Sequence, residues 1–141
     1  MSFSRWARRT PALLLVALGL SAASAAWAHH SFAMYDNEHQ VKLKGKVTDF
    51  QWTNPHVYIE LDGVDQYGEN KDVKSWVIEC ANPGILDRIG WKFNMIHKGD
   101  EITAIVAPLR SGEPGALLKQ ITLPDGKVFT NGGPAGPANI Q

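Results

Sequence analysis

Three observations predict a mainly β fold for this chain, a small five-stranded barrel with one short helix between its third and fourth strands. Two stretches, Val41 to Phe50 and His56 to Leu61, alternate apolar and polar residues with the period of two that a half-buried strand requires, and three more short apolar-rich runs between turn signals read as strands. Glycine, proline, asparagine and aspartate cluster between those stretches, where turns are needed. One segment, Asn82 to Gly90, is instead punctuated as a helix, with an asparagine to cap it, a proline at its first position and a glycine to stop it.

The first strand runs from Val41 to Phe50, and Val41, Leu43, Gly45, Val47 and Asp49 share one of its faces. Gly45 has no side chain to pack, so it marks a bulge or a sharp coil where the strand bends. Gln51 to Pro55 reads as a turn, and a second strand follows from His56 to Leu61. Its residues Val57, Ile59 and Leu61 face one way and His56, Tyr58 and Glu60 the other. Asp62 to Asp72 is polar and contains glycine, the composition of a hairpin loop, and leads to a third strand, Lys74 to Glu79. After the helix come strands at Glu101 to Val106 and Ala116 to Leu123, joined by a loop around Arg110 to Gly115. Asp125-Gly126 turns the chain into Lys127-Val128-Phe129. From Asn131 to Gln141 the composition is glycine, proline and alanine with almost no apolar anchor, that of a disordered tail.

Strand, strand, strand, helix, strand, strand is the order of an oligonucleotide/oligosaccharide-binding (OB) barrel. The domain boundaries that follow are 41–130 for the barrel, 29–40 for a segment ahead of it and 131–141 for the tail. The same strands, paired differently, could build a β-sandwich with an incidental helical turn.

The segment 1–28 has the three-part plan of a cleavable secretory signal: Arg5, Arg8 and Arg9, an apolar run from Ala12 to Leu20, and a small-residue box ending Ala26-Trp27-Ala28. The run is shorter than the roughly 20 apolar residues of a permanent span. A periplasmic mature chain with no membrane span is therefore expected, starting at His29 and 113 residues long. It keeps 11 of the 14 basic residues against 14 acidic ones, a net charge near −3 with neutral histidines. That balance argues against a nucleic-acid partner, whose phosphates call for a basic surface. The lone Cys80 allows no internal disulfide. Its place between a strand and a helix cap suits a buried small hydrophobe, with a thiolate ligand as the other option. Trp52, Trp76 and Trp91 supply much of the area a core would bury.

Signal cleavage would place His29 first and His30 second in the mature chain. A terminal histidine offers its amine and its own Nδ1 to one metal, and one further imidazole completes a T-shaped set of three nitrogens. That set, a histidine brace, suits Cu(II), which favours nitrogen donors in tetragonal geometry. His56 is the expected third ligand, because Asn54-Pro55-His56 sets it at the mouth of a strand; His30 is an auxiliary. Each has a plainer reading: the pair as the mere start of a flexible tail, and His56 as solvated alongside Tyr58 and Glu60. A second candidate is Trp91, Met95 and His97, the makings of a soft Cu(I) site, which more commonly form a connector packed on the core. His39 lies in a polar loop and reads as solvated, as do Asp36, Asp49, Glu60 and Glu79, whose spacing argues for no acid/base pair.

His29-His30-Ser31-Phe32, Phe50-Gln51-Trp52-Thr53-Asn54-Pro55-His56, Asn82-Pro83-Gly84-Ile85-Leu86 and Pro108-Leu109-Arg110-Ser111-Gly112 together resemble an exported proteobacterial family known only as a domain of unknown function. The likeness covers nearly all of the mature chain and runs through His29, His30 and His56. It implies no activity. The expected function is a non-catalytic copper carrier or buffer. The alternatives are an OB-like module binding a saccharide, a peptide or an envelope protein through exposed Trp52, Tyr58 and Trp91, and a structural subunit of an envelope complex.

Overall fold

A computed structural model describes residues 33–132. The predicted leader, with His29 and His30, lies outside the described residues, as do residues 133–141 of the predicted tail. The elements are β1 (Val41–Gln51), β2 (Tyr58–Asp65), β3 (Lys74–Glu79), α1 (Pro83–Arg88), β4 (Glu101–Pro108), β5 (Gly115–Thr122) and β6 (Val128–Thr130).

The strands pair in the order β3-β2-β1-β4-β5, and β3 also pairs with β5, in parallel, which closes them into a five-stranded barrel. All the other pairings are antiparallel. This closure is the OB order, and it excludes the sandwich that the same strands could have formed. β6 lies outside the barrel, paired to β5 alone among the described strands.

Alternation fills the interior. Leu43 and Val47 of β1, Ile59 and Leu61 of β2, Trp76 and Ile78 of β3, and Ile102, Ala104 and Val106 of β4 all turn inward, with Leu118 and Ile121 of β5. α1 follows β3 and contributes Leu86 to the same core. Its start and stop are those read from sequence: Oδ1 of Asn82 accepts the Ile85 N–H at 2.9 Å, Pro83 opens the helix, and Gly90 follows at φ +96°. Trp91 then enters the core with its ring fully buried, edge-on to Phe129, and its Nε1–H donates to the Thr130 carbonyl at 3.0 Å. Filling the interior with one such ring removes it from any outer surface.

Three local expectations need correction. The irregularity in β1 falls not at Gly45 but between Val47 and Asp49, where the register with β2 shifts. Gly45 instead pairs with Gly63 at a close approach: a Cβ built on it would stand 2.5 Å from the Gly63 Cα and 2.1 Å from the Asp62 carbonyl oxygen. The loop after β2 begins later than its polar composition suggests, because Asp62 and Gly63 remain in register with Ser75 and Lys74, and Oδ1 of Asp62 accepts the Ser75 hydroxyl at 2.6 Å. At the other end, Asn131 is tied down. Its Oδ1 accepts the Ala81 N–H at 2.6 Å and its Nδ2 donates to the Leu118 carbonyl at 2.9 Å, strapping the chain across β5 and the start of the helical connection.

Candidate functional site

β2 and β3 pair so that Tyr58 lies opposite Glu79 and Ile59 opposite Ile78. Ile59 and Ile78 are both buried, so the pleat turns Tyr58 and Glu79 outward. The ladder continues past the strand ends, with the Val57 N–H donating to Ala81 and the Cys80 N–H donating to Val57. That fixes the main chain next to His56 on one side. On the other, the Thr53 hydroxyl donates to the His56 carbonyl at 3.0 Å, and the Asn54–Pro55 peptide between them is cis.

A third piece of chain reaches this spot. Tyr35 makes an antiparallel bridge with Leu109, and the Asp36 N–H donates to the Pro108 carbonyl at 2.8 Å. The Tyr35 ring packs with Ala107, Leu109 and Leu117 into a small apolar cluster separate from the main core. Its hydroxyl donates to Oε2 of Glu79 at 2.7 Å. The other carboxylate oxygen, Oε1, meets Nδ1 of His56.

Glu79 therefore joins Tyr35 and His56, and its carboxylate is half-buried rather than solvated, contrary to the sequence expectation. Nδ1 of His56 is buried, and its approach to the carboxylate is close without having the angle of a good hydrogen bond. The contact still assigns the ring: two lone pairs facing one another would repel, so Nδ1 carries the proton. In the neutral imidazole the lone pair is then on Nε2. The imidazole is 35% exposed while Nδ1 is not, which leaves the Nε2 side of the ring to the solvent. Burial, then the hydrogen bond and charge of Glu79, pushes the Tyr35 phenol far above its ordinary range and keeps it a donor. Burial and the Glu79 charge also push Tyr58 up. Burial, with a lesser effect of Glu79, pushes up the Cys80 thiol, which is wholly buried as expected.

The other singled-out residues lie elsewhere. Trp91 is in the core and is not a stacking platform, while Trp52 is half-buried, edge-on to Phe50. Met95 packs against the core and its Sδ accepts the Lys92 N–H at 3.2 Å. His97 is 70% exposed, with Nδ1 3.7 Å from Asp100. His39 is more than solvated: its Nδ1 lies 2.9 Å from Oδ2 of Asp36, and that contact chiefly holds the Asp36 carboxyl below its ordinary range. Among the described residues, no three His, Cys, Asp or Glu side chains gather into a metal-binding group. No described helix is long and apolar enough to cross a membrane.

Tyr35 and Glu79 are the site residues that reading the sequence missed. The available signal was faint: Glu79 ends a strand directly opposite an outward Tyr58, and it precedes a buried cysteine. No curated protein and no solved structure matches the chain. Residues 17–118, most of the chain and all of the His56–Glu79–Tyr35 cluster, match a family of unknown function, and the chain belongs to that family, DUF6152.

Proposed function

We propose that this is an exported, periplasmic Cu(II)-binding protein, a carrier or buffer rather than an enzyme, in which His56 supplies one nitrogen through Nε2. The observation that carries the reading is the Glu79 carboxylate at Nδ1 of His56. Imidazoles that ligate metals are ordinarily held this way, with the far ring nitrogen on a carboxylate and the near one turned to the ion. The arrangement makes the ligand nitrogen more basic and fixes its direction.

Two more nitrogens come from His29, the first residue after the proposed cleavage, through its amine and Nδ1, with His30 as an auxiliary. Chain length supports this. Tyr35 is six residues beyond His29, and six extended residues reach at most about 20 Å. Three nitrogen donors suit Cu(II) over the harder divalent ions. The alternative, an OB-like module for a saccharide, peptide or envelope partner, keeps half-buried Trp52 and Tyr58 as platforms but loses Trp91 to the core.

Calorimetry on protein beginning at His29 tests the reading. One equivalent of Cu(II) binds, and a single extra residue ahead of His29 weakens binding at least tenfold by turning the amine into an amide. Equal affinity with and without that residue removes the amine from the site, and no binding by either protein hands the function to the alternative module.

A further inference from the structure

We infer that Tyr35 is a positioning residue for His56: through the Glu79 carboxylate it sets which nitrogen of the imidazole carries the proton, and so which one is free to bind. The orientation of His56 rests on geometry alone; its consequence for metal rests on the copper reading above.

A glutamate's terminal torsion is broad and nearly two-fold, so a carboxylate with one partner can swing. Here the two oxygens are divided. Oε2 takes the Tyr35 hydroxyl at 2.7 Å, and that leaves Oε1 to face Nδ1 of His56. The hydroxyl is not needed for packing. Ala107, Leu109 and Leu117 surround the ring, and a phenylalanine would fill the same apolar cluster. What only tyrosine adds is the bond to Glu79. No lysine or arginine pairs with that carboxylate among the described residues, so Tyr35 and His56 are its polar partners.

Tyr35 also belongs to the segment that bridges to Leu109 and bonds to Pro108. Lifting that segment from the barrel breaks the Tyr35–Glu79 bond and frees the carboxylate. The seating of residues at the N-terminal edge of the barrel and the direction of the His56 lone pair are thus one equilibrium. If copper binds as proposed, ligation by His56 favours the seated segment, and seating favours ligation, by the same factor.

The test is nitrogen NMR of the histidine side chains in metal-free protein at a pH where His56 is neutral, its signal assigned by its absence in His56→Ala. Wild-type His56 is expected as the Nδ1–H tautomer. In Tyr35→Phe, which keeps the ring, His56 is expected to shift to a mixture with the Nε2–H form. Glu79→Gln gives a second reading should the first variant fold poorly. With Tyr35 still donating to the amide oxygen, the –NH2 group of the new side chain faces Nδ1 and the ring must become Nε2–H. An unchanged tautomer in folded Tyr35→Phe, or an Nδ1–H ring in Glu79→Gln, overturns the inference. The copper arm separates the two claims: Tyr35→Phe is expected to weaken Cu(II) by about tenfold, at the low end for loss of an outer partner. Should wild type take up no Cu(II), the proposed function falls while the tautomer result still decides the role of Tyr35.

Discussion

Gly45 of β1 and Gly63 of β2 are cross-strand partners with no room between them for a methyl group. The atoms in the way are backbone, the Asp62 carbonyl and the Gly63 Cα, so no side chain can swing aside. Gly45→Ala is expected to lower stability by about 3 kcal/mol or more, at or above the usual range for overpacking. Gly112, at φ +82° with open space around it, is the contrast: Gly112→Ala costs only the left-handed backbone term of about 1–2 kcal/mol. Denaturant melts of the two variants check this, and equal losses would show that β1 and β2 can move apart at no greater cost than one left-handed residue.

Asn131 holds two backbone groups that lie far from it in sequence. Asn131→Ala removes both partners and leaves the Ala81 N–H and the Leu118 carbonyl to find others. A loss of about 2 kcal/mol is expected, from two net hydrogen bonds at about 1 kcal/mol each. A melt unchanged from wild type would mean that water replaces the asparagine at both ends.

Alkaline pH should loosen the barrel. Folding raises the phenol pKa of Tyr35 and Tyr58 above their ordinary value of 10.0, so the folded chain holds those protons more tightly than the unfolded chain does. Their contribution is complete below that pH and is lost as the pH climbs through it toward the folded values. The buried Cys80 thiol, raised from 9.0, acts in the same direction. The melting temperature is expected to fall between about pH 9 and about pH 11, and less steeply in Tyr35→Phe. A flat profile across that range contradicts the prediction.

Cys80 is wholly buried and its thiol is kept protonated by burial, with Glu79 reinforcing it. Thiol reagents attack the thiolate, so labelling should wait for the barrel to open. The labelling rate is expected to follow global stability across the variants above. Rapid labelling of the folded protein would mean that the β3–α1 connection opens locally.

The local elements were readable because their signals are local. Alternation and short apolar runs between turn signals located five strands, and Asn82, Pro83 and Gly90 framed the helix. Closure through parallel β3–β5 was available only through the order of elements, since nothing in either strand alone names its partner. The site was harder. His56 could be picked out by its residue type and position, but Glu79 on the outer face of a strand reads as solvated until Tyr35, 44 positions away, is brought to it. Asn131 reads as the start of a tail because its neighbours are glycine and proline, and its partner Ala81 is 50 positions distant. Trp91 was ambiguous for another reason: an aromatic ring has the same sequence signature whether it fills a core or covers a surface.

Pulsed electron paramagnetic resonance of the protein beginning at His29, loaded with one equivalent of Cu(II) and compared with His56→Ala, tests the copper proposal most directly. Two imidazoles coupled to the copper are expected in wild type, with one lost in the variant while the other persists. Identical spectra from the two proteins would contradict a site built on His56.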